Sequence, residues 1–297
     1  MTITQLEYAL AVARHKSFTK AAKACFVTQP TLSMQIQKLE EELDVSIFNR
    51  KKKPLALTEI GEKIITQATQ IVQEAKRMQD IVDQEKGYIG GTFKLGIIPT
   101  VMPTLLPMFI HHFLKKYPEI DLHIEEQTTK NIIKNLHNEQ LDAAILATPL
   151  EEEKIAERPI YYEPFVAYIP KHHPLHAVKN VDMKLLEDER LLLLQDGHCF
   201  RDHILNLCGS SMNEKKQLFT LESGSFETLI KLCDEGLGIT LLPYLNSLDI
   251  EADKKNNIKK FIKPAPAREI SIIYLKTGVK KHVIDALHLS IKGIIKA

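Results

Sequence analysis

Thr28-Gln29-Pro30-Thr31-Leu32-Ser33-Met34-Gln35-Ile36-Gln37-Lys38-Leu39-Glu40-Glu41-Glu42-Leu43 carries two patterns at once. Leu32, Ile36, Leu39 and Leu43 recur at spacings of four, three and four, which predicts a helix with one buried stripe. Thr28 reads as its N-cap, and Pro30 falls in the first turn, where a missing N–H costs nothing. The opposite face offers Gln29, Thr31, Ser33, Met34, Gln35 and Lys38, hydrogen-bonding groups suited to base edges and phosphates in a major groove.

Working outward, Leu6, Ala9, Leu10 and Ala13 predict a helix near residues 4 to 16, and Ser17 precedes a short Ala-rich helix over Phe18-Thr19-Lys20-Ala21-Ala22-Lys23-Ala24. A turn at Phe26-Val27-Thr28 leads into the quoted helix. Helix, turn and second helix in this order is a helix-turn-helix, with the later helix as reader. Downstream, Ile47-Phe48-Asn49-Arg50-Lys51-Lys52-Lys53-Pro54-Leu55-Ala56-Leu57 places a basic loop between two short apolar pieces, a wing able to lie on the phosphate backbone. The candidate contacts to double-stranded DNA are therefore Gln29, Pro30, Thr31, Ser33, Gln35, Lys38, Arg50, Lys51 and Lys52. Charge agrees: residues 1 to 58 carry net +4, whereas the whole 297-residue chain carries only +1, leaving about −3 elsewhere.

Thr58 is positioned to cap a long helix running to about Gly87. Its residues Ile64, Ala68, Ile71, Ala75, Met78 and Val82 alternate spacings of four and three, as a two-stranded coiled coil requires. This predicts a dimer on a pseudo-palindromic site; packing of the stripe on its own domain is the alternative. Beyond Gly87-Tyr88-Ile89-Gly90-Gly91 the pattern changes to alternating strands and helices: strand 93–98, helix 104–116, strand 122–124, helix 129–138, strand 143–146. That succession predicts parallel α/β packing. A second α/β half is expected from about 164 to 265, with Ile270-Ser271-Ile272-Ile273-Tyr274 returning to the first. The reading divides the chain into 1–58, a 59–90 linker and dimerisation helix, and a 91–297 regulatory domain, with lobe I about 91–163 and 266–297 and lobe II about 164–265. Two lobes leave a cleft, and ligands in such sheets meet strand ends and helix starts. Pro99-Thr100 and Thr129 are its expected rim, with Thr128 competing for the second place.

Leu194-Gln195-Asp196-Gly197-His198-Cys199-Phe200-Arg201-Asp202, with Cys208 beyond, is the other informative stretch. His198 and Arg201 beside Cys199 supply cations that stabilise a thiolate. Phe200, Ile204, Leu205 and Cys208 follow helical spacing, and in a helix Cys199 and Cys208 lie about 13 Å apart along the axis. A disulfide needs α-carbons within about 7 Å, so oxidation has to unwind the segment. Two buried core thiols, or a metal site of His198, Cys199, His203 and Cys208, are the alternatives. Cys25 and Cys233 are expected in cores, and the histidines other than His198 at the surface.

Phe18-Thr19-Lys20-Ala21-Ala22, Thr28-Gln29-Pro30-Thr31-Leu32-Ser33, Ile36-x-x-Leu39-Glu40, Leu43, Phe48-x-Arg50 and Leu57-Thr58-x-x-Gly61 together resemble the N-terminal domain of LysR-type transcriptional regulators. Within that family, Asp196-Gly197-His198-Cys199-x-Arg201-Asp202 with Cys208, Ile98-Pro99-Thr100, Glu126-x-x-Thr129, Glu227-Thr228-Leu229 and Gly236-x-Gly238-Ile239-Thr240-Leu241-Leu242-Pro243 resemble the peroxide-sensing members. The resemblance implies a fold that is α/β overall: a winged helix-turn-helix, a linker helix and a two-lobed α/β domain like periplasmic binding proteins. It implies that Cys199 is the peroxidatic thiol and Cys208 its resolving partner, with Thr100, Thr129, His198 and Arg201 forming the pocket for hydrogen peroxide. It further implies a homodimer or homotetramer that contacts RNA polymerase and is re-reduced by glutaredoxin or thioredoxin. A LysR-type regulator answering a small organic effector in the cleft is the competing reading.

No glycine-rich phosphate loop, metalloprotease helix or nucleophile elbow appears, so an enzyme is not expected, nor any cofactor or metal. No apolar run reaches the roughly 20 residues of a membrane helix. The N-terminus lacks the basic and apolar regions of a signal peptide, and the expected compartment is the cytoplasm.

Overall fold

Thr2 opens the first helix through a capping box: its hydroxyl accepts from the Gln5 backbone N–H while the Gln5 side chain accepts from the Thr2 N–H. The computed structural model describes residues 1–52, 54–85, 89–186, 189–195, 200, 204, 223–278 and 280–295. These fall into two units, Met1–Tyr88 and Ile89–Ala297.

In the first unit, α1 (Ile3–His15) and α2 (Phe18–Ala24, capped by Ser17) pack beside α3 (Gln29–Leu43), where Thr28 is the N-cap and Pro30 lies in the first turn. Leu32, Ile36 and Leu39 are fully buried against Leu6, Ala9, Val12, Ala21 and Ala22. The stripe stops there. Leu43, the last residue of α3, is 37% exposed and lies outside the buried cluster. Strands β1 (Phe48–Asn49) and β2 (Ala56–Leu57) pair antiparallel around the basic loop.

Helix α4 (Glu59–Glu85) follows. The Thr58 hydroxyl donates to the Ser46 carbonyl at 2.6 Å and accepts from the Gly61 N–H at 2.9 Å. Gly61 is obligatory, since a β-carbon there would stand 2.1 Å from the Ile47 carbonyl oxygen. The heptad stripe divides in two. Ala68 and Val72 are buried, with Ile64 and Ile71 partly so, in the unit's own core, whereas Met78 (70% exposed), Ile81 and Val82 are uncovered. Intramolecular packing thus claims the first half of the predicted seam.

The second unit begins with β3 (Gly91–Ile97), α5 (Met102–Lys116), β4 (Ile120–Glu126), α6 (Thr129–His137) and β5 (Ala143–Thr148). Strand β3 lies between β4 and β5 and runs parallel to both. Long β6 (Ile155–Tyr168) then leaves for a second lobe of β7 (Asn180–Val181), α7 (Met183–Leu186), β8 (Leu191–Leu192), α8 (Phe226–Asp234), β9 (Ile239–Pro243), α9 (Tyr244–Leu248) and β10 (Ile258–Phe261). Returning strand β11 (Ala267–Leu275) and α10 (Lys281–Ile295) complete the first lobe. The sheet is mixed rather than parallel, because β11 runs back between β5 and β6, antiparallel to each. β6 serves both lobes: Ile155–Pro164 face β11, and Phe165–Tyr168 face β9.

Each lobe has its own core, one around Phe93, Leu95, Phe109, Phe113 and Ile272, the other around Phe165, Tyr168, Phe200, Leu229 and Cys233. Gly238 lets β9 approach the Arg190 carbonyl, which a β-carbon would meet at 2.5 Å. Among the described residues no helix is long and apolar enough to cross a membrane.

Candidate functional site

The N-terminal unit exposes Gln29, Pro30, Thr31, Met34 and Lys38 on one face of α3, with Ser33 and Gln35 half-buried beside them. Gln35 accepts from the Gln5 side chain at 3.2 Å, and the Thr31 hydroxyl lies 2.7 Å from that of Thr28. These bonds fix side-chain directions along the helix start. Lys51 and Lys52 are exposed in the wing loop.

Arg50 sits differently from those lysines. Its Nη2 donates to Glu40 Oε2 at 2.8 Å, and its guanidinium lies 5.4 Å from the Phe18 ring centre. Glu40 Oε1 meanwhile accepts from the backbone N–H groups of Ile47 and Phe48 at 2.7 and 3.1 Å. One carboxylate from α3 therefore ties down both the entry to the wing and its first cation. Arg50 is held to the body of the unit, and that geometry was not visible in the sequence.

In the second unit, Thr100 and Thr129 follow β3 and β4 at equal offsets: Ile97 pairs with Glu126, and each threonine stands three residues later. Parallel neighbours so matched deliver both to one edge of the sheet, beside the first turns of α5 and α6. Neither helix start is capped by a side chain, which leaves backbone N–H groups and the positive dipole end turned toward that edge. The Thr129 hydroxyl is buried and has no hydrogen-bond partner among the described residues.

Thr100 is engaged by a residue the sequence reading missed. Arg268 of β11 donates from Nη1 to the Thr100 hydroxyl at 2.8 Å and from Nη2 to the Thr100 carbonyl at 3.1 Å. Its Nε and Nη2 also donate to Glu163 Oε2 of β6, at 2.9 and 2.7 Å. Both charges are sealed from solvent, at 0% and 2% side-chain exposure, and the remaining carboxylate oxygen accepts from the Leu245 N–H at 3.0 Å. The guanidinium lies 5.3 Å from the centre of the Phe200 ring, itself edge-on to Phe165 and Phe226. Because Thr100 Oγ1 accepts from the guanidinium, its own proton is free to be donated. Near by, the Tyr161 hydroxyl is buried with no hydrogen-bond partner among the described residues, and burial, reinforced by Glu163, pushes its pKa up, so it stays protonated. The edge thus offers small hydrogen-bonding groups around a neutralised cation.

Residues 3–62 match the profile of a bacterial regulatory helix-turn-helix protein, lysR family, and residues 86–291 match the LysR substrate binding domain. The chain belongs to the LysR family of transcriptional regulators. This LysR regulator is not an enzyme. It is 35% identical over 277 residues to the DNA-binding transcriptional dual regulator OxyR of Escherichia coli K12, covering 92% of this chain and 89% of the relative. Its structure is similar to full-length Pseudomonas aeruginosa OxyR with a cysteine-to-aspartate change, at 34% identity and TM-score 0.78, covering 98% and 95% of the two chains. A cysteine-to-serine variant of Corynebacterium glutamicum OxyR, solved with hydrogen peroxide bound, is similar at 27% identity and TM-score 0.67, covering 99% and 92%.

His198, Cys199, Arg201, His203 and Cys208 of the LysR regulator lie outside the described residues. Phe200, next in sequence to Cys199, is described, and it rests on the cation that holds Thr100. Cys233 is fully buried on α8, where burial and then Asp234 push its thiol pKa up. Cys25 is half-buried at the end of α2. The histidines are not uniformly superficial: His288 is buried, its Nε2 2.8 Å from the Pro159 carbonyl, and His173 pairs with Glu189 at 3.2 Å. A sequence signal for the missed pair did exist. Glu163 and Arg268 are charges set within strands that are otherwise largely apolar, where a buried charge needs a partner.

Proposed function

We propose that this LysR regulator senses hydrogen peroxide through reversible Cys199–Cys208 disulfide formation and thereby controls oxidative-stress genes. The similarity to OxyR proteins over nine-tenths of the chain carries the reading. The threonine edge supports it: a donor on Thr100 and the buried Thr129 hydroxyl, without a partner among the described residues, suit a molecule with two adjacent oxygens, each both donor and acceptor.

The Cys199 thiolate attacks one peroxide oxygen, the O–O bond breaks, and the departing hydroxide takes a proton to leave as water. The Cys208 thiolate then attacks the sulfenic sulfur, the S–O bond breaks, and the displaced hydroxide takes a proton to leave as a second water. Two thiols are oxidised by two electrons and one peroxide is reduced. Thr100 and Thr129 position the peroxide, while His198 and Arg201 stabilise the thiolate and its attack. Glutaredoxin or thioredoxin restores the dithiol.

Gln29, Pro30, Thr31, Ser33, Gln35 and Lys38 read promoter DNA, and Arg50, Lys51 and Lys52 align the wing on phosphates. The uncovered Met78, Ile81 and Val82 of α4 take a second copy, within a homodimer or homotetramer that engages RNA polymerase in the cytoplasm. Treating reduced, metal-free protein with near-stoichiometric peroxide and mapping disulfides by peptide mass spectrometry tests the switch, with Cys199→Ser as control. A Cys199–Cys208 link absent from the control is the expected result; two free thiols overturn it.

A small organic effector is the second reading, favoured by the buried Tyr161 and Thr129 hydroxyls, which have no partner among the described residues. Under it, Cys199→Ser leaves the transcriptional response intact.

A further inference from the structure

Helix α2 ends in a Schellman arrangement: the Phe26 N–H donates to the Lys23 carbonyl at 3.2 Å and the Val27 N–H to the Ala22 carbonyl at 3.0 Å. This closure places residue 26 in the left-handed region, with φ +55°, a position that suits glycine or asparagine. Lys16, Asp44 and Glu139 are the other described non-glycine residues with positive φ, and all three are polar. Phe26 alone is apolar. Its side chain is 97% exposed and adds nothing to the core beneath it. In the free protein the residue is therefore unfavourable twice over, through its backbone conformation and through apolar surface left in water.

Its place in the fold indicates what offsets both costs. Phe26 stands two residues before Thr28, the N-cap of α3, and adjoins the exposed Gln29, Pro30 and Thr31. When the start of a reading helix enters the major groove, the turn preceding it comes against the groove's wall. That wall presents deoxyribose carbons between the phosphates, and an uncharged ring can cover them without competing for the phosphate oxygens. We propose that Phe26 packs on the deoxyribose–phosphate wall of the major groove beside the N-terminus of α3, a contact that adds affinity independent of sequence. This rests on α3 being the DNA reader.

The test measures affinity by fluorescence anisotropy across a salt series, using the full chain. Two probes are used: a duplex that the wild-type protein recovers from a random-sequence library, and an unselected duplex. Phe26→Asn and Phe26→Gly fit the left-handed turn, so their melting temperatures stay level or rise. Their affinity falls about fivefold or more on both duplexes, as the loss of a buried aromatic contact requires. The slope of log affinity against log salt stays unchanged, because no cation is removed, whereas Lys38→Ala reduces it by about one. Phe26→Tyr keeps the ring and retains the affinity. Unaltered affinity in both turn variants, while Gln29→Ala weakens binding, overturns the Phe26 contact alone. If Gln29→Ala and Lys38→Ala also bind normally, α3 is not the reader and both assignments fall. A changed sedimentation coefficient with unaltered DNA affinity assigns the ring to a protein contact and likewise overturns the proposal.

Discussion

Arg268 places its guanidinium carbon 5.3 Å from the centre of the Phe200 ring while its N–H groups hold the hydroxyl and carbonyl of Thr100. A single cation thus joins the residue next to Cys199 with the rim of the threonine edge. Removing it by Arg268→Ala leaves Glu163 buried and unpaired, and a loss of about 3–5 kcal/mol in urea unfolding is expected. Replacing both members, Glu163→Gln with Arg268→Met, should recover part of that loss. A double variant no more stable than Arg268→Ala refutes a penalty from the unpaired charge.

Thr100→Val keeps the shape of the side chain and removes the hydroxyl. If the Thr100 proton positions peroxide, oxidation of Cys199 slows by roughly tenfold in stopped-flow measurements, and the melting temperature falls as well, because the buried Arg268 Nη1 loses its acceptor at a cost of about 1–3 kcal/mol. An unchanged rate places peroxide elsewhere.

Cys233 is expected to resist alkylation. Its thiol is buried and its pKa raised, so at pH 8 thiolate is scarce and access blocked. Iodoacetamide followed by mass spectrometry should label Cys233 only once urea opens the second lobe. Rapid labelling in native buffer contradicts this.

Much of the N-terminal unit was legible because local signals agreed: the Thr28 cap, Pro30 and the four-three stripe each point to the same helix, and α3 begins at Gln29. The strands β3, β4 and β5 likewise emerged from short apolar runs between helical patterns. What escaped was set by tertiary contact. Leu43 continues the stripe, yet at the last residue of α3 it stays 37% exposed. The direction of β11 depends on its insertion between β5 and β6, which no periodicity encodes. Glu163 and Arg268 stand more than a hundred residues apart, so their pairing appears only in the folded sheet. Thr100 was found as a strand-end hydroxyl, but the cation that orients it was not.

Acid sensitivity should be traceable in part to His288. Burial lowers its pKa in the folded protein, and Arg158 and Lys292 act in the same direction. A base with a depressed native pKa binds its proton more readily when unfolded. Its neutral form therefore supports the fold fully above the unfolded value of about 6.5, and that support is lost as pH falls through this value toward the native one. Melting temperatures measured from pH 7.5 down to 5 should drop less steeply in His288→Gln than in wild type, and equal slopes would count against the assignment.

Met78→Glu with Ile81→Glu adds charge to the uncovered half of α4 while leaving the Ala68 and Val72 contacts alone. Sedimentation velocity should show a shift from dimer or tetramer toward monomer, with at least a tenfold rise in the dissociation constant. An unaltered oligomer means that the second copy docks elsewhere.

Strand β6 changes partners between Pro164 and Phe165, and Glu163 stands just before that change, locked to Arg268 on the neighbouring strand. The ion pair therefore works as a rivet at that point. Arg268 reaches Thr100 at the end of β3 and lies against Phe200 of the second lobe's core, so one side chain touches both lobes. The strand that joins the lobes is thus fastened at its crossing point by the same cation that orients the threonine edge.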